Sequence, residues 1–282
     1  MAGRVLVLGA GGHAASSFEI GLIAGLADGG LDIRDADTFV GTSAGARVGA
    51  EVTSGASLDD IFAKQSAAPQ KRMLPDIDWI RWRGDFQAAR AGGGEPAEIL
   101  RRIGSLTPAV AESADRRAAI AMELSNASWP EKRLLIAAIE VESGKRHVFD
   151  WMSGIELLDA VMASGTLPGV WPPIAFRGRG YIDGGFYSAE NADLAAGADR
   201  VLVLALRAGV PPIQVIPLEA AIDVLLRSGA QVEVVHPDEA TQAVLTTAGN
   251  LLNPNVREPA TKAARDHGRT IAERIATFWQ RL

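Results

Sequence analysis

The 282-residue chain is 48% hydrophobic and 22% charged, an ordinary globular composition that excludes disordered and fibrous classes. Its net charge of −6 argues against a nucleic-acid partner, which would require a basic surface. It has no cysteine, which excludes disulfides, thiol catalysis and thiolate metal sites and fits a cytoplasmic setting.

A chain of this length can bury a large core, so residues 1–282 are expected to form one domain. No apolar run approaches the ~20 residues of a membrane span. The apolar stretch at residues 5–10 follows Arg4 and runs into glycines. It is shorter than the roughly 7–15 residues of a signal-peptide core and is read as a first strand.

That strand, residues 5–8, ends at Gly9-Ala10-Gly11-Gly12, the pattern of a buried strand entering a tight loop. Residues 16–26 then space Phe18, Ile20, Leu22, Ile23 and Leu26 as a helix does, and Asp28-Gly29-Gly30 stops it. A short strand at 37–40, a turn at 41–45 and a helix from Ala46 follow. This order predicts a parallel sheet wrapped by helices. Residues 58–117 read as helical with a break at 91–96. Residues 134–141 and 146–149 flank Ser143-Gly144 as a hairpin. A helix is expected at 155–162, a strand at 181–182, buried strands at 201–205 and 232–235, and a terminal helix at 261–280 with Ile271, Ile275 and Phe278 on its apolar face.

Gly41-Thr42-Ser43-Ala44-Gly45 is the sole Gly-x-Ser-x-Gly in the chain. A sharp strand-to-helix turn crowds the positions two before and two after the serine, so glycines there relieve the clash and leave the hydroxyl exposed. The helix N-terminus behind it favours developing negative charge. The same pentapeptide also suits a purely structural turn. The loop at 9–12 is open to three readings. Its amides could hold an oxyanion. They could hold a dinucleotide pyrophosphate, since Gly9-x-Gly11-x-x-Ala14 with Asp32 nearly meets that fingerprint. They could simply turn the chain. Asp183-Gly184-Gly185 could cap a turn, or set a carboxylate rigidly against the serine.

These three pieces in order resemble the patatin-like phospholipase family. Residues 163–173, Gly180-Tyr181-Ile182-Asp183-Gly184-Gly185, Asn191-Ala192 and Gly197-Ala198-Asp199 extend the resemblance, which covers about residues 4–54 and 134–206. It implies an α/β fold, a three-layer α/β/α sandwich with a mostly parallel central sheet. It implies a serine acyl-ester hydrolase with Ser43 as nucleophile, Asp183 as general base and the amides of Gly11 and Gly12 as oxyanion hole, without metal or cofactor. The partners implied are acyl esters or phospholipids, with transient contact at a membrane surface. His13, Ala15 and Ser16 stand where the family has glycine, a cation and glycine.

A Ser–Asp–His triad would draw on His236, after the strand at 232–235, but its fold places more strands before the nucleophile. His13 could meet substrate or simply be solvated. Residues 76–83 alternate polar and large apolar side chains, which suits either a lid or interfacial patch or the core packing of Trp79 and Trp82. A second class of function remains: a non-catalytic relative that binds lipid or a protein partner.

Overall fold

The computed structural model describes residues 3–67, 77–108, 113–206 and 215–280. The first half runs β1 (Arg4–Leu8), α1 (Gly12–Asp28), β2 (Thr38–Thr42), α2 (Ala44–Val52), α3 (Leu58–Ser66), α4 (Trp79–Ala91), α5 (Pro96–Gly104) and α6 (Ala114–Glu123). The second half runs β3 (Arg133–Glu140), β4 (Arg146–Phe149), α7 (Leu157–Ser164), β5 (Ile174–Phe176), β6 (Arg179–Asp183), β7 (Arg200–Leu204), α8 (Leu218–Arg227), β8 (Gln231–Val235), α9 (Glu239–Thr247) and α10 (Arg257–Gln280). The break expected at 91–96 falls between α4 and α5. Parts of the predicted helical stretch, at 68–76 and 109–112, lie outside the described residues, as does Asp76.

The strands form one sheet in the order β5-β6-β3-β2-β1-β7-β8, with β4 also paired to β3. β3, β2, β1, β7 and β8 are mutually parallel, whereas β4 and β6 each pair antiparallel with β3, and β5 pairs antiparallel with β6. Alternation along each strand sends side chains to opposite faces. Leu6, Leu8, Phe39, Leu134, Ile136, Leu202 and Leu204 share a core with α1, α2, α7 and α10. Val5, Val7, Val40, Leu135, Val201 and Val203 pack on residues 192–198 and α8. Helix, sheet and helix thus make three layers, as the resemblance implied.

Three expectations need correction. α1 begins at Gly12, four residues before the start expected at Ser16, because glycine rather than a polar cap opens the helix. β8 is an edge strand and mostly half-buried, not fully buried, since among the described residues no strand pairs with its outer side. On α10 the core-facing aromatic is Trp279, fully buried with its Nε1 donating to Asp35 Oδ1 at 2.8 Å, while Phe278 is only half-buried.

Candidate active site

β2 turns into α2 through Ser43, whose φ of 55° and ψ of −114° are costly for a residue with a side chain. A Cβ on Gly41 would sit 2.6 Å from Ala46 Cα and 2.7 Å from Gly45 O, so the crowding argument holds at that glycine. Gly45 is demanded by a different neighbour: a Cβ there would lie 2.1 Å from Leu8 O on β1. The amide of Ser43 donates to Ser164 Oγ at 2.8 Å, and Ser164 Oγ donates to Ala137 O at 2.7 Å.

The register of β3 explains how Asp183 reaches this turn. Ile136 and Ala137 pair with β2 on one edge and with β4 on the other. Ala138 and Ile139 pair with β4 and with β6, so β6 occupies the β2 edge. β2 climbs that edge to Ala137 and β6 descends it to Ala138. The two strands therefore abut end to end, and the last residue of β6 meets the first residue past β2.

Ser43 Oγ donates to Asp183 Oδ2 at 2.7 Å, and Gly185 N donates to Asp183 Oδ1 at 2.7 Å. The Asp183 amide donates to Thr166 O at 3.0 Å. The carboxylate is 7% exposed. Burial pushes its pKa up to about 7, against the hydrogen bonds from Ser43 and Gly185 and the charge of Arg116. Asn191, fully buried and left-handed at φ 49°, spans the two strand ends. Its Nδ2 donates to Thr42 Oγ1 at 3.1 Å, Gly184 O at 3.3 Å and Ser188 O at 2.6 Å. Arg146 holds its Oδ1 at 3.1 Å and is itself paired with Asp193.

The glycine loop lies against the same turn, since Gly45 N donates to Gly9 O at 3.1 Å. Gly11 and Gly12 have φ of 146° and 56°, and among the described residues neither amide has a backbone acceptor. They open α1, where the first amides lack helix partners and face anions. A Cβ on Gly11 would lie 2.6 Å from Leu206 Cδ1, and one on Gly12 would lie 2.3 Å from Leu252 Cδ2. Apolar side chains thus wall these donors. Behind them two buried acids flank Gly9. Burial drives Glu19 well above the usual carboxylate range and Glu190 up to about 7.

The dinucleotide reading loses its acid. Asp32 is fully engaged with Arg34, at 2.9 and 2.6 Å, and caps the turn Ile33–Asp35. His236 bonds Ala205 O through Nδ1 at 2.8 Å and follows β8, three strand spacings or about 14 Å from β2. The geometry thus removes it from a triad. His13 sits beside Arg47, Glu123 and Arg257. Burial, then the two arginines, push its pKa down to about 4, so its ring is neutral at pH 7. His147 packs against Phe149 and Tyr181, and His267 is buried in α10. Among the described residues no group of three His, Cys, Asp or Glu side chains could hold a metal.

The segment at 77–83 starts α4, capped by Asp78. Trp82 is half-buried, donates to Pro168 O at 2.8 Å and packs on Phe86 and Phe186 beside the aspartate turn. Trp82 therefore belongs to the core, whereas Ile80 is 88% exposed. The sequence reading missed Ser164 and Arg116 and gave Asn191 no role. Each sits in an unremarkable local pattern, and the partner that ties it to the site lies more than 40 residues away.

Fold and site together define an α/β protein with a serine on a strand–helix elbow, hydrogen-bonded to a buried carboxylate beside free glycine amides. The sequence model of the patatin-like phospholipase family matches residues 6–196, and the chain belongs to that family. No curated protein matches it in sequence. Among solved structures it is similar to VipD from Legionella pneumophila, with 13% identity over 96% of this chain and 67% of that one and a TM-score of 0.47. It is also similar to the type III effector protein ExoU, with 13% identity, 96% and 53% coverage and a TM-score of 0.43. The chain spans about half the length of the ExoU chain.

Proposed function

We propose that the chain is a serine acyl-ester hydrolase of lipase, phospholipase or lysophospholipase type. The observation that carries this reading is the 2.7 Å hydrogen bond from Ser43 Oγ to Asp183 Oδ2. In the proposed reaction Ser43 Oγ attacks the acyl carbonyl while Asp183 takes its proton. The carbonyl electron pair moves onto oxygen, and the amides of Gly11 and Gly12 receive that oxyanion. Collapse breaks the ester bond, and Asp183 returns the proton to the departing alkoxide. Water then attacks the acyl-enzyme, with Asp183 again as base, and frees the acid. This route needs neither metal nor cofactor.

A carboxylate with ordinary acidity would be a weak base for a hydroxyl. Burial of Asp183 brings it near neutrality, where a general base works best. Leu206 and Leu252 give the glycine amides an apolar wall, which suits an acyl chain. Exposed Ile80 on α4, two residues before the core-packed Trp82, supports transient contact with a lipid surface.

The test is labelling with a serine-directed phosphonate and mass mapping of the adduct. Labelling at Ser43, and its loss together with hydrolysis in Ser43→Ala, is expected. Full hydrolysis by Ser43→Ala would remove Ser43 as nucleophile. Lipid binding without any adduct would favour a non-catalytic lipid- or partner-binding role instead.

A further inference from the structure

α6 carries one buried side chain, Arg116, 4% exposed. An arginine taken out of water must find acceptors. Its Nη2 donates to Thr166 Oγ1 at 3.2 Å and approaches the carbonyls of Met162 and Gly165 at 3.5 Å each. These groups form the C-terminal end of α7, where carbonyls lack helix partners and a cation is favoured. The guanidinium also lies 4.9 Å over the Trp171 ring.

The same short segment supports both members of the dyad. Ser164 Oγ accepts the amide of Ser43, and Thr166 O accepts the amide of Asp183. Arg116 is the charged group fastened to that segment. We infer that Arg116 is a positioning residue for the dyad: it holds residues 164–166 under Ser43 and Asp183 and favours the ionised form of the Asp183 carboxylate. This rests on the acyl-hydrolase reading above.

The surroundings of Asp183 single out this arginine. Ser43 Oγ faces it from the elbow and Gly185 N from its own turn, while β3 presents Ala137 and Ala138 at that level. Among the described residues Arg116 is the charged group acting on it. Glu19 and Glu190 flank Gly9 instead, where the charge of Glu190 opposes ionisation of Glu19. In a site closed to water a cation eases ionisation of a carboxylate, and here its charge adds to the larger effects of the bonds from Ser43 and Gly185.

The test is the pH dependence of phosphonate inactivation, with the adduct mapped to Ser43, in the wild type and in Arg116→Gln, Arg116→Met and Arg116→Lys. In the two neutral variants the acid limb should move to higher pH. Labelling is then slower than wild type at pH 7 and nearly equal to it at pH 9. Arg116→Lys should keep the limb close to wild type. Arg116→Met fills the buried volume and gives the same reading where the glutamine variant does not fold. A purely structural role would slow labelling by one factor at every pH. That result, or an unmoved limb in a folded neutral variant, overturns the inference. A wild type that is never labelled at Ser43 overturns the hydrolase reading and the inference with it, so the two failures are told apart by the wild type alone.

Discussion

At the scale of single residues the site is a set of costs held in place by neighbours. Ser43 occupies a backbone conformation that costs of the order of 1–3 kcal/mol, and Gly41, Gly45 and the bond to Ser164 leave it no alternative. Asp183 is costly for another reason. Its pKa of about 7 lies above the ordinary 3.8, so the folded state binds its proton more tightly than the unfolded chain does. The favourable proton binding is present at low pH and is lost as pH rises through 7, with a penalty of the order of 4 kcal/mol once the carboxylate is ionised. Asp183→Asn should therefore do two things. Turnover should fall by about 10²–10⁴, the usual cost of losing a general base. The urea midpoint should exceed that of wild type at pH 8.5 and match it at pH 5. A variant destabilised equally at both pH values would show that Asp183 is not buried as a charge.

At the scale of elements, the close crossing of α1 and α10 sets the layer behind the glycine loop. Gly21, Gly25 and Gly268 let the backbones touch, and a Cβ on Gly25 would lie 2.0 Å from Arg265 O. Gly25→Ala should cost about 1–3 kcal/mol, because neither helix can yield without moving the sheet. Gly84 makes the opposite case. It lies inside α4 with nothing within 4 Å of a Cβ, so Gly84→Ala should stabilise by up to about 1 kcal/mol. Chemical denaturation of the two variants checks the sign of each. A sequence pattern does not separate these glycines, since both read as helix interior; only the partner helix does. For the same reason α8, α9 and β5 escaped the sequence reading. Their short amphipathic patterns are weak until a sheet face or a neighbouring strand is there to cover them.

At the scale of the whole molecule, buried titratable groups fix how stability depends on pH. Asp183, Glu190 and Glu19 hold their protons well above the ordinary carboxylate range, chiefly through burial. His13, His147 and His267 are held neutral below the ordinary histidine range, again chiefly through burial. Between about pH 4.5 and 6.5 the unfolded chain gains histidine protons while the folded chain keeps carboxyl protons, and the two slopes oppose each other. Above about pH 6.5 the histidines no longer differ, and only the acids remain. Stability should then fall steadily toward pH 9. Below about pH 4 the paired carboxylates Asp28, Asp32 and Glu123, whose acidity is strengthened by arginines, lose their partners' benefit and stability falls again. Urea midpoints from pH 3 to 9 should trace this plateau with two shoulders. Glu190→Gln should flatten the alkaline one, and a midpoint that rises above pH 7 would contradict the account.

The sequence by itself determined the strand–helix order of the first 50 residues, the glycine loop, the serine elbow and the Asp-Gly-Gly turn. Those features are local: glycine spacing and apolar periodicity act over a few residues and are written in the chain directly. It also placed Gly11, Gly12, Ser43 and Asp183 together through family resemblance, without saying how they meet. Only the tertiary structure decided that, because β2 and β6 share one edge of β3 and stop one residue apart. The burial of Asp183, the bridge of Asn191 and the seat of Arg116 on α7 arise in the same way. They depend on contacts between segments distant along the chain, and no local pattern encodes which distant group will arrive.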